Sequence, residues 1–182
     1  MGTPITAPIW RNRVSPFPVR SRTFAVDEKF CWKFDAIAER FGDEKMAYEV
    51  GAVTEPTCVA YNGLFEWAGG FRPGHYVSVF GAGPIGLVAI GLAKAAGASI
   101  IAAFEISSQR LKLAKAVGAD FAYDPREVSA ADILMELSKG ASLDFHVEAA
   151  GAPELILPEV ETALAINSKV VLILPTTRRL RK

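Results

Sequence analysis

A chain of 182 residues with 51% apolar content is long enough for one domain of ordinary size with a substantial hydrophobic core. Its formal net charge is zero, which gives no overall attraction to nucleic acid or to an acidic membrane surface. The charge is nevertheless uneven: residues 1–22 and 178–182 are basic and contain no acid, so the 12 basic residues between them face 20 acidic ones. The body of the chain is therefore acidic and both ends are basic.

The two cysteines, Cys31 and Cys58, are far apart and match no metal-ligand spacing. Sparse cysteine use is typical of a reducing compartment rather than of a disulfide-bonded scaffold. The apolar runs are shorter than a membrane span, and residues 1–22 lack the apolar block of a signal peptide. These features predict a cytoplasmic protein without a membrane anchor.

The first 70 residues carry weak structural signals. Residues 1–22 are rich in proline and arginine without a sustained period, which predicts an irregular basic arm. Residues 24–34 have strand-like composition, and residues 35–41 are expected to form a short helix. Pro56 suits the first turn of a connector helix that runs to about Trp67 and ends at a pair of glycines.

From residue 71 to residue 175, short β-rich runs alternate with helical stretches, the pattern of a parallel sheet covered by helices. The predicted strands are 76–80, 99–104, 121–123, 143–147 and 169–174. The predicted helices between them are 85–96, 107–117, 130–138 and 158–166. The fold class is thus α/β, a doubly wound parallel sheet of the Rossmann type, followed by a basic tail over residues 176–182.

The first of these strands leads into a glycine-rich turn with the sequence GAGPIG. Gly81 permits the tight turn off the strand, Gly83 lets the backbone approach a pyrophosphate, and Gly86 allows close packing of helix on strand. Pro84 and Ile85 begin the helix, whose N-terminus offers free N–H groups and a partial positive charge to phosphate. Because the turn stands between a strand and a helix, the motif predicts dinucleotide binding.

An acidic residue ends the second predicted strand, about 20 residues beyond the turn. There the Glu105 carboxylate is placed to accept hydrogen bonds from the adenosine ribose, and it would repel the additional phosphate of NADP, so NAD is the expected cofactor. The alternative interpretation gives neither feature a role in binding: the glycines form an ordinary turn, and Glu105 is a solvated acid at the end of a strand. Arg110 has three interpretations: an ion pair with Glu105, a position over the adenine, or a place on a solvated helix face.

Beyond this motif, the sequence resembles the zinc-containing medium-chain dehydrogenases, especially their polyol- and sorbitol-type members. The resemblance runs from about Phe24 to Leu174 and is carried by EVGAVTEPTCVAYNG, RPGHYVSVFGAGPIGLVAIGLAKAAGA and DFHVEAAG. It implies an NAD-binding domain over residues 71–175, preceded over residues 23–70 by a remnant of the substrate domain and a connector helix. The implied parent reaction is hydride transfer between NAD and a secondary alcohol or polyol.

The resemblance also implies roles for residues outside the glycine motif. Val59 would approach the nicotinamide, Arg110 would lie near the adenine, and Ala150 and Gly151 would border the adenosine side. Glu55 occupies the position of a zinc ligand, or of a glutamate close to the metal, in members of the family. An acid at a helix start is equally explained by the helix dipole.

The family's zinc chemistry needs three protein ligands and an open position, most of them supplied by a substrate domain that this sequence does not contain. The two histidines, His75 and His146, lie on or beside predicted strands and are expected to be structural. We therefore expect no zinc site and no catalytic residue in this chain. The family pattern stops near both ends, so the expected domain is truncated, and its last strand forms an open sheet edge that favours self-association.

Three other functions remain open from the sequence. A methyltransferase-like domain would hold S-adenosylmethionine with the same turn and acid, although a Pro-Ile-Gly continuation is typical of the dinucleotide version. A non-catalytic Rossmann module would use the basic ends to bind a partner; nucleic acid is not favoured because no aromatic interleaving or docking helix accompanies them. A zinc-free reductase of the same superfamily is the third.

Overall fold

The computed structural model describes residue 33 and residues 35–173. The chain divides into two compact units between Thr54 and Glu55. In the described part, the first unit comprises helix α1 (Asp35–Phe41), as predicted, and the beginning of helix α2 (Glu44–Tyr61). The predicted arm over 1–22, the predicted tail over 176–182 and nearly all of segment 24–34 lie outside the described residues. None of the described helices is long and apolar enough to cross a membrane.

The connector helix begins well before the predicted position. Helix α2 starts at Glu44 and contains Pro56 in its interior, so the prediction that Pro56 opens the helix was wrong. The preceding residues are mostly helix formers such as Glu, Lys, Met and Ala, and the helix continues through the proline despite a penalty of about 3 kcal/mol. Helix α2 then passes into a π-helical segment, Asn62–Trp67, which ends where the sequence predicted.

In the described part of the chain, five parallel strands form one sheet in the order β3-β2-β1-β4-β5. The strands are β1 (Tyr76–Phe80), β2 (Ile100–Phe104), β3 (Phe121–Tyr123), β4 (Leu143–Glu148) and β5 (Leu164–Leu172). The intervening helices are α3 (Pro84–Ala95), α4 (Ser108–Val117), α5 (Ala130–Leu137) and α6 (Pro153–Thr162). Strand β1 lies between β2 and β4, and at such a reversal of strand order ligands bind beyond the carboxyl ends of the strands. The predicted Rossmann-type sheet is confirmed.

The last helix and strand start earlier than predicted. Helix α6 begins at Pro153, and the predicted start at Pro158 was wrong because Pro158 lies inside the helix. Pro153 occupies the first turn, where the missing N–H of proline has no helical partner to lose. Strand β5 correspondingly begins at Leu164 rather than at residue 169. Two prolines five residues apart offered the same start signal, and only the packed structure distinguishes them.

Apolar residues cover both faces of the sheet. On one face, Val77, Val79 and Phe145 pack with Ile90 of α3 in a buried cluster. On the other face, Phe80, Ala102 and Phe104 pack with Leu134 of α5 and Val160 of α6. Because successive strand residues point to opposite faces, this double burial explains why the strands read as nearly continuous apolar runs. The helices are thereby held so that the loops after the strands meet at one edge.

A polar pair is buried within the sheet. Ser78 on β1 and His146 on β4 are opposite each other in register, with Ser78 Oγ 2.8 Å from His146 Nδ1. Burial lowers the pKa of His146 to about 4. The imidazole is therefore neutral at neutral pH and has a structural place in the core, as the sequence predicted.

We expect His146 to make the fold less stable in mild acid. The pKa of the imidazole is 6.5 when unperturbed and about 4 in the fold, so the unfolded state binds more protons between these pH values and stability falls as the pH drops through that window. Between about pH 7 and about pH 5.5 the loss is about 1 kcal/mol. Urea unfolding should show this loss in the parent chain and in a His75→Gln control, but not in His146→Leu. An identical pH dependence in His146→Leu would contradict this account.

Candidate functional site

A cleft of about 480 Å³ lies at the carboxyl ends of the central strands. Its walls come from the loops that follow β1, β2, β3 and β4 and from one side of α6. The glycine-rich turn contributes Gly81 and Gly83, and the segment after β2 contributes Glu105 and Arg110. Loops that are distant in sequence thus meet here because four parallel strands end at the same edge.

Two glycines of the turn are required by backbone packing. Gly81 has a φ of +91°, and a Cβ there would lie 2.7 Å from the Ala150 nitrogen. A Cβ on Gly86 would overlap the carbonyl oxygen of Gly81. The structure thereby gives both glycines the kind of role that the motif predicts: a tight turn at Gly81 and close packing of helix on strand at Gly86.

Gly83 differs from these two glycines because no contact with another described residue requires a glycine there. Its φ is −70°, which any residue adopts, and in the described part of the chain no atom beyond its two sequence neighbours would lie within 4 Å of a Cβ there. Gly83 caps the N-terminus of α3 and lines the cleft, and Pro84 follows in the first turn. Ile85 packs against the core cluster of the sheet. The space beside Gly83 therefore lets a phosphate approach both the backbone and the helix N-terminus, so this turn fits a dinucleotide.

Glu105 is almost completely buried and accepts four hydrogen bonds. Its Oε2 accepts from the Ala82 N–H at 2.8 Å, and its Oε1 accepts from the N–H groups of Ile106 and Ser107 at 2.9 and 3.0 Å. Oε1 also accepts from Arg110 Nη2 at 3.0 Å. Burial raises the pKa of the Glu105 carboxyl, but these hydrogen bonds and the Arg110 guanidinium outweigh burial and hold the pKa below its usual range. The carboxylate is therefore ionised at neutral pH.

The Glu105 contacts join two loops of the cleft. The sequence assigned this acid to a ribose, and it offered no signal that the same carboxylate accepts from Ala82 in the glycine turn. Of the three interpretations of Arg110, the structure shows the ion pair with Glu105, while Arg110 also remains on the cleft wall. The acid thus has a structural role in positioning the turn.

Sequence reasoning missed Glu148, the last residue of β4. Its side chain is 1% exposed, and its Oε1 accepts from the N–H groups of Ala150, Gly151 and Ala152 at 2.9, 2.7 and 3.2 Å. These bonds shape the loop between β4 and α6, whose backbone lies against Gly81. Ala150 lines the cleft, and Gly151 belongs to the same loop. An acid directly before Ala-Ala-Gly is the signal that could have pointed to this role.

The residues predicted near the nicotinamide and the metal lie on α2 and do not line this cleft. Val59 is half-buried and Glu55 is exposed. Within residues 35–173, no three His, Cys, Asp or Glu side chains come close enough to hold a metal ion. The described residues therefore do not fit a catalytic zinc ion, which needs three protein ligands.

The parallel sheet, the glycine turn between β1 and α3 and the acid after β2 together define a dinucleotide-binding Rossmann domain. Comparison with known proteins shows to which family this Rossmann domain belongs. The zinc-binding dehydrogenase family matches residues 84–173. Scyllo-inosose 3-dehydrogenase of Thermotoga maritima is 34% identical over 152 residues, which cover 81% of this chain and 38% of that protein. D-xylulose reductase A of Aspergillus niger is 32% identical over 150 residues, which cover 80% of this chain and 38% of that protein.

Solved structures agree with this assignment. A provisionally assigned alcohol dehydrogenase from Thermotoga maritima superposes with a TM-score of 0.77 at 34% identity, covering 85% of this chain and 40% of that one. Benzyl alcohol dehydrogenase from Acinetobacter calcoaceticus superposes with a TM-score of 0.58 at 29% identity, and the match covers 70% of this chain and 34% of that one. The chain belongs to the zinc-binding dehydrogenase family, as the resemblance predicted. It spans about two-fifths of the length of the curated relatives it matches.

Proposed function

We propose that this chain provides the NAD(H)-binding half of a dehydrogenase that transfers a hydride between NAD and a secondary alcohol or polyol. The observation that carries the proposal is Gly83: no contact among the described residues requires a glycine there, yet the position lines the cleft at the N-terminus of α3. The names of the relatives, an inosose dehydrogenase and a xylulose reductase, support a polyol as the substrate class.

The residues of the cleft can each contribute to holding the cofactor. The first-turn amides of α3 have no acceptor within the helix and can donate to the pyrophosphate, with the helix dipole adding a favourable charge. The anchored Glu105 carboxylate would accept from ribose hydroxyls, and Arg110 borders the same region. When bound, the nicotinamide ring supplies the hydride acceptor. We place the boundary of this cofactor domain at residue 71, with the connector segment before it.

We expect the chain to bind NADH more tightly than NADPH, by about tenfold or more, because the ionised Glu105 would face the additional phosphate. Titration of both nucleotides, followed by the fluorescence of the reduced nicotinamide, measures the ratio. Glu105→Gln should narrow the ratio, because it removes the charge while keeping the side-chain length. Equal affinity for the two nucleotides would contradict the assignment of Glu105, and binding of S-adenosylmethionine in place of NADH would favour the methyltransferase alternative.

We further propose that the chain self-associates through β5. Among the described residues β5 pairs only with β4, and its side chains Ile166, Val170 and Leu172 are exposed. An apolar edge strand with unpaired backbone groups is prone to pair with another chain. Light scattering should give a particle mass above that of one chain, and Val170→Lys should lower it, whereas Leu113→Lys on α4 should leave it unchanged. A monomer at tens of micromolar would contradict this proposal.

A further inference from the structure

An arginine from the loop after β3 contacts the segment after β2. The Arg126 guanidinium forms a double contact with Asp124, with Nε 3.0 Å from Oδ1 and Nη2 2.6 Å from Oδ2. The same Nη2 donates to the carbonyl oxygen of Ile106 at 2.9 Å. The planar guanidinium fork allows Arg126 to bind the carboxylate through two nitrogens while reaching the carbonyl, a geometry that a lysine ammonium does not reproduce.

Ile106 links the anchored acid to the cleft wall. Its N–H donates to Glu105 Oε1 at 2.9 Å, and its side chain is 54% exposed and lines the cleft beside Arg126. Hydrogen bonds from Arg126 also lower the pKa of the Asp124 carboxyl, so the supporting pair is charged at neutral pH. Arg126 thus holds the Ile106 carbonyl while Glu105 holds the Ile106 N–H, and this peptide segment is fixed from both sides.

We propose that Arg126 is a positioning residue for the adenosine end of the bound dinucleotide, acting through the Ile106 carbonyl. This inference rests on the proposed function, namely that the cleft takes NAD(H). A different role for an exposed arginine beside such a cleft is to attract phosphate by its charge. The Asp124 partner separates the two roles, because Asp124→Asn frees the positive charge while it loosens the guanidinium.

The test compares a ligand panel across matched variants of the full chain. Arg126→Ala should weaken the binding of NADH and of ADP-ribose by the same factor, about fivefold to tenfold, which corresponds to the net loss of about one ordinary hydrogen bond. Asp124→Asn should weaken both ligands in the same direction, and the double variant should be no worse than Arg126→Ala. Arg126→Lys should recover only part of the affinity. Lys115→Ala, an exposed charge on α4 that does not line the cleft, should bind as the parent chain does.

A second readout needs no ligand. Amide hydrogen exchange at Ile106 and Ser107 should be faster in Arg126→Ala and Asp124→Asn than in the parent chain. The melting temperature of Arg126→Ala should stay unchanged, because the Arg126 side chain is mostly exposed. Unchanged exchange at these two amides would overturn the positioning role, as would tighter ADP-ribose binding by Asp124→Asn. If the parent chain binds neither NADH nor ADP-ribose, the proposed function fails, and the part of this inference that concerns ligand affinity fails with it. The exchange measurement still decides whether Arg126 holds Ile106 in place.

Discussion

Replacement of Gly83 by valine should weaken NADH binding by about a hundredfold or more and leave the fold almost as stable as before. The backbone at this position suits any residue, and the new Cβ would lie more than 4 Å from every described residue except its two sequence neighbours. The weaker N-cap preference of valine accounts for a loss of only about 1 kcal/mol. The added side chain would instead occupy the space through which a pyrophosphate reaches the helix N-terminus.

Gly81→Ala is the matched comparison. Its Cβ would collide with the backbone of the loop at Ala150, and its φ of +91° is strained for any residue with a side chain. This variant should therefore lose about 1 to 3 kcal/mol of stability together with NADH affinity. NADH titration and urea unfolding of both variants should show a loss mainly of affinity for Gly83→Val and a loss of both affinity and stability for Gly81→Ala. A Gly83→Val chain that binds NADH with the parent affinity would show that the pyrophosphate does not approach this turn.

Loss of the Glu148 side chain should reduce the stability of the domain by about 3 kcal/mol, because three N–H groups of one loop lose their acceptor. Glu148→Gln keeps an oxygen at the same place and should lose about 1 kcal/mol. NADH affinity should fall with Glu148→Ala as well, since this loop packs its backbone against Gly81.

Urea unfolding of Glu148→Ala, Glu148→Gln and Glu161→Ala measures this effect. Glu161 lies on α6 and is exposed, so its replacement controls for the loss of an acidic side chain. A Glu148→Ala chain as stable as Glu161→Ala would mean that the loop between β4 and α6 is held by packing alone.

Local patterns in the sequence were sufficient to predict the sheet and the cofactor turn. The runs at β1 and β3 match the predicted strands, and Ser107 caps α4 as expected. Each of these features depends on residues that are close in sequence: a β-rich run, a glycine where the turn needs one, or a hydroxyl at a helix start. The acid after β2 was found for the same reason, because its distance from the turn follows from one β-α-β unit.

Features that depend on competition or on distant loops needed the tertiary structure. Pro56 and Pro158 both carry a helix-start signal, yet both lie inside longer helices whose other residues outweigh one proline. The contacts of Glu105 with Ala82 and of Arg126 with Ile106 join residues about 20 positions apart. No periodicity or spacing encodes them, because they arise only where parallel strands bring their following loops to one edge of the sheet. The sequence therefore predicted which chemistry belongs at that edge, and the packing of the loops decided which side chains are free to perform it and which hold the backbone in place.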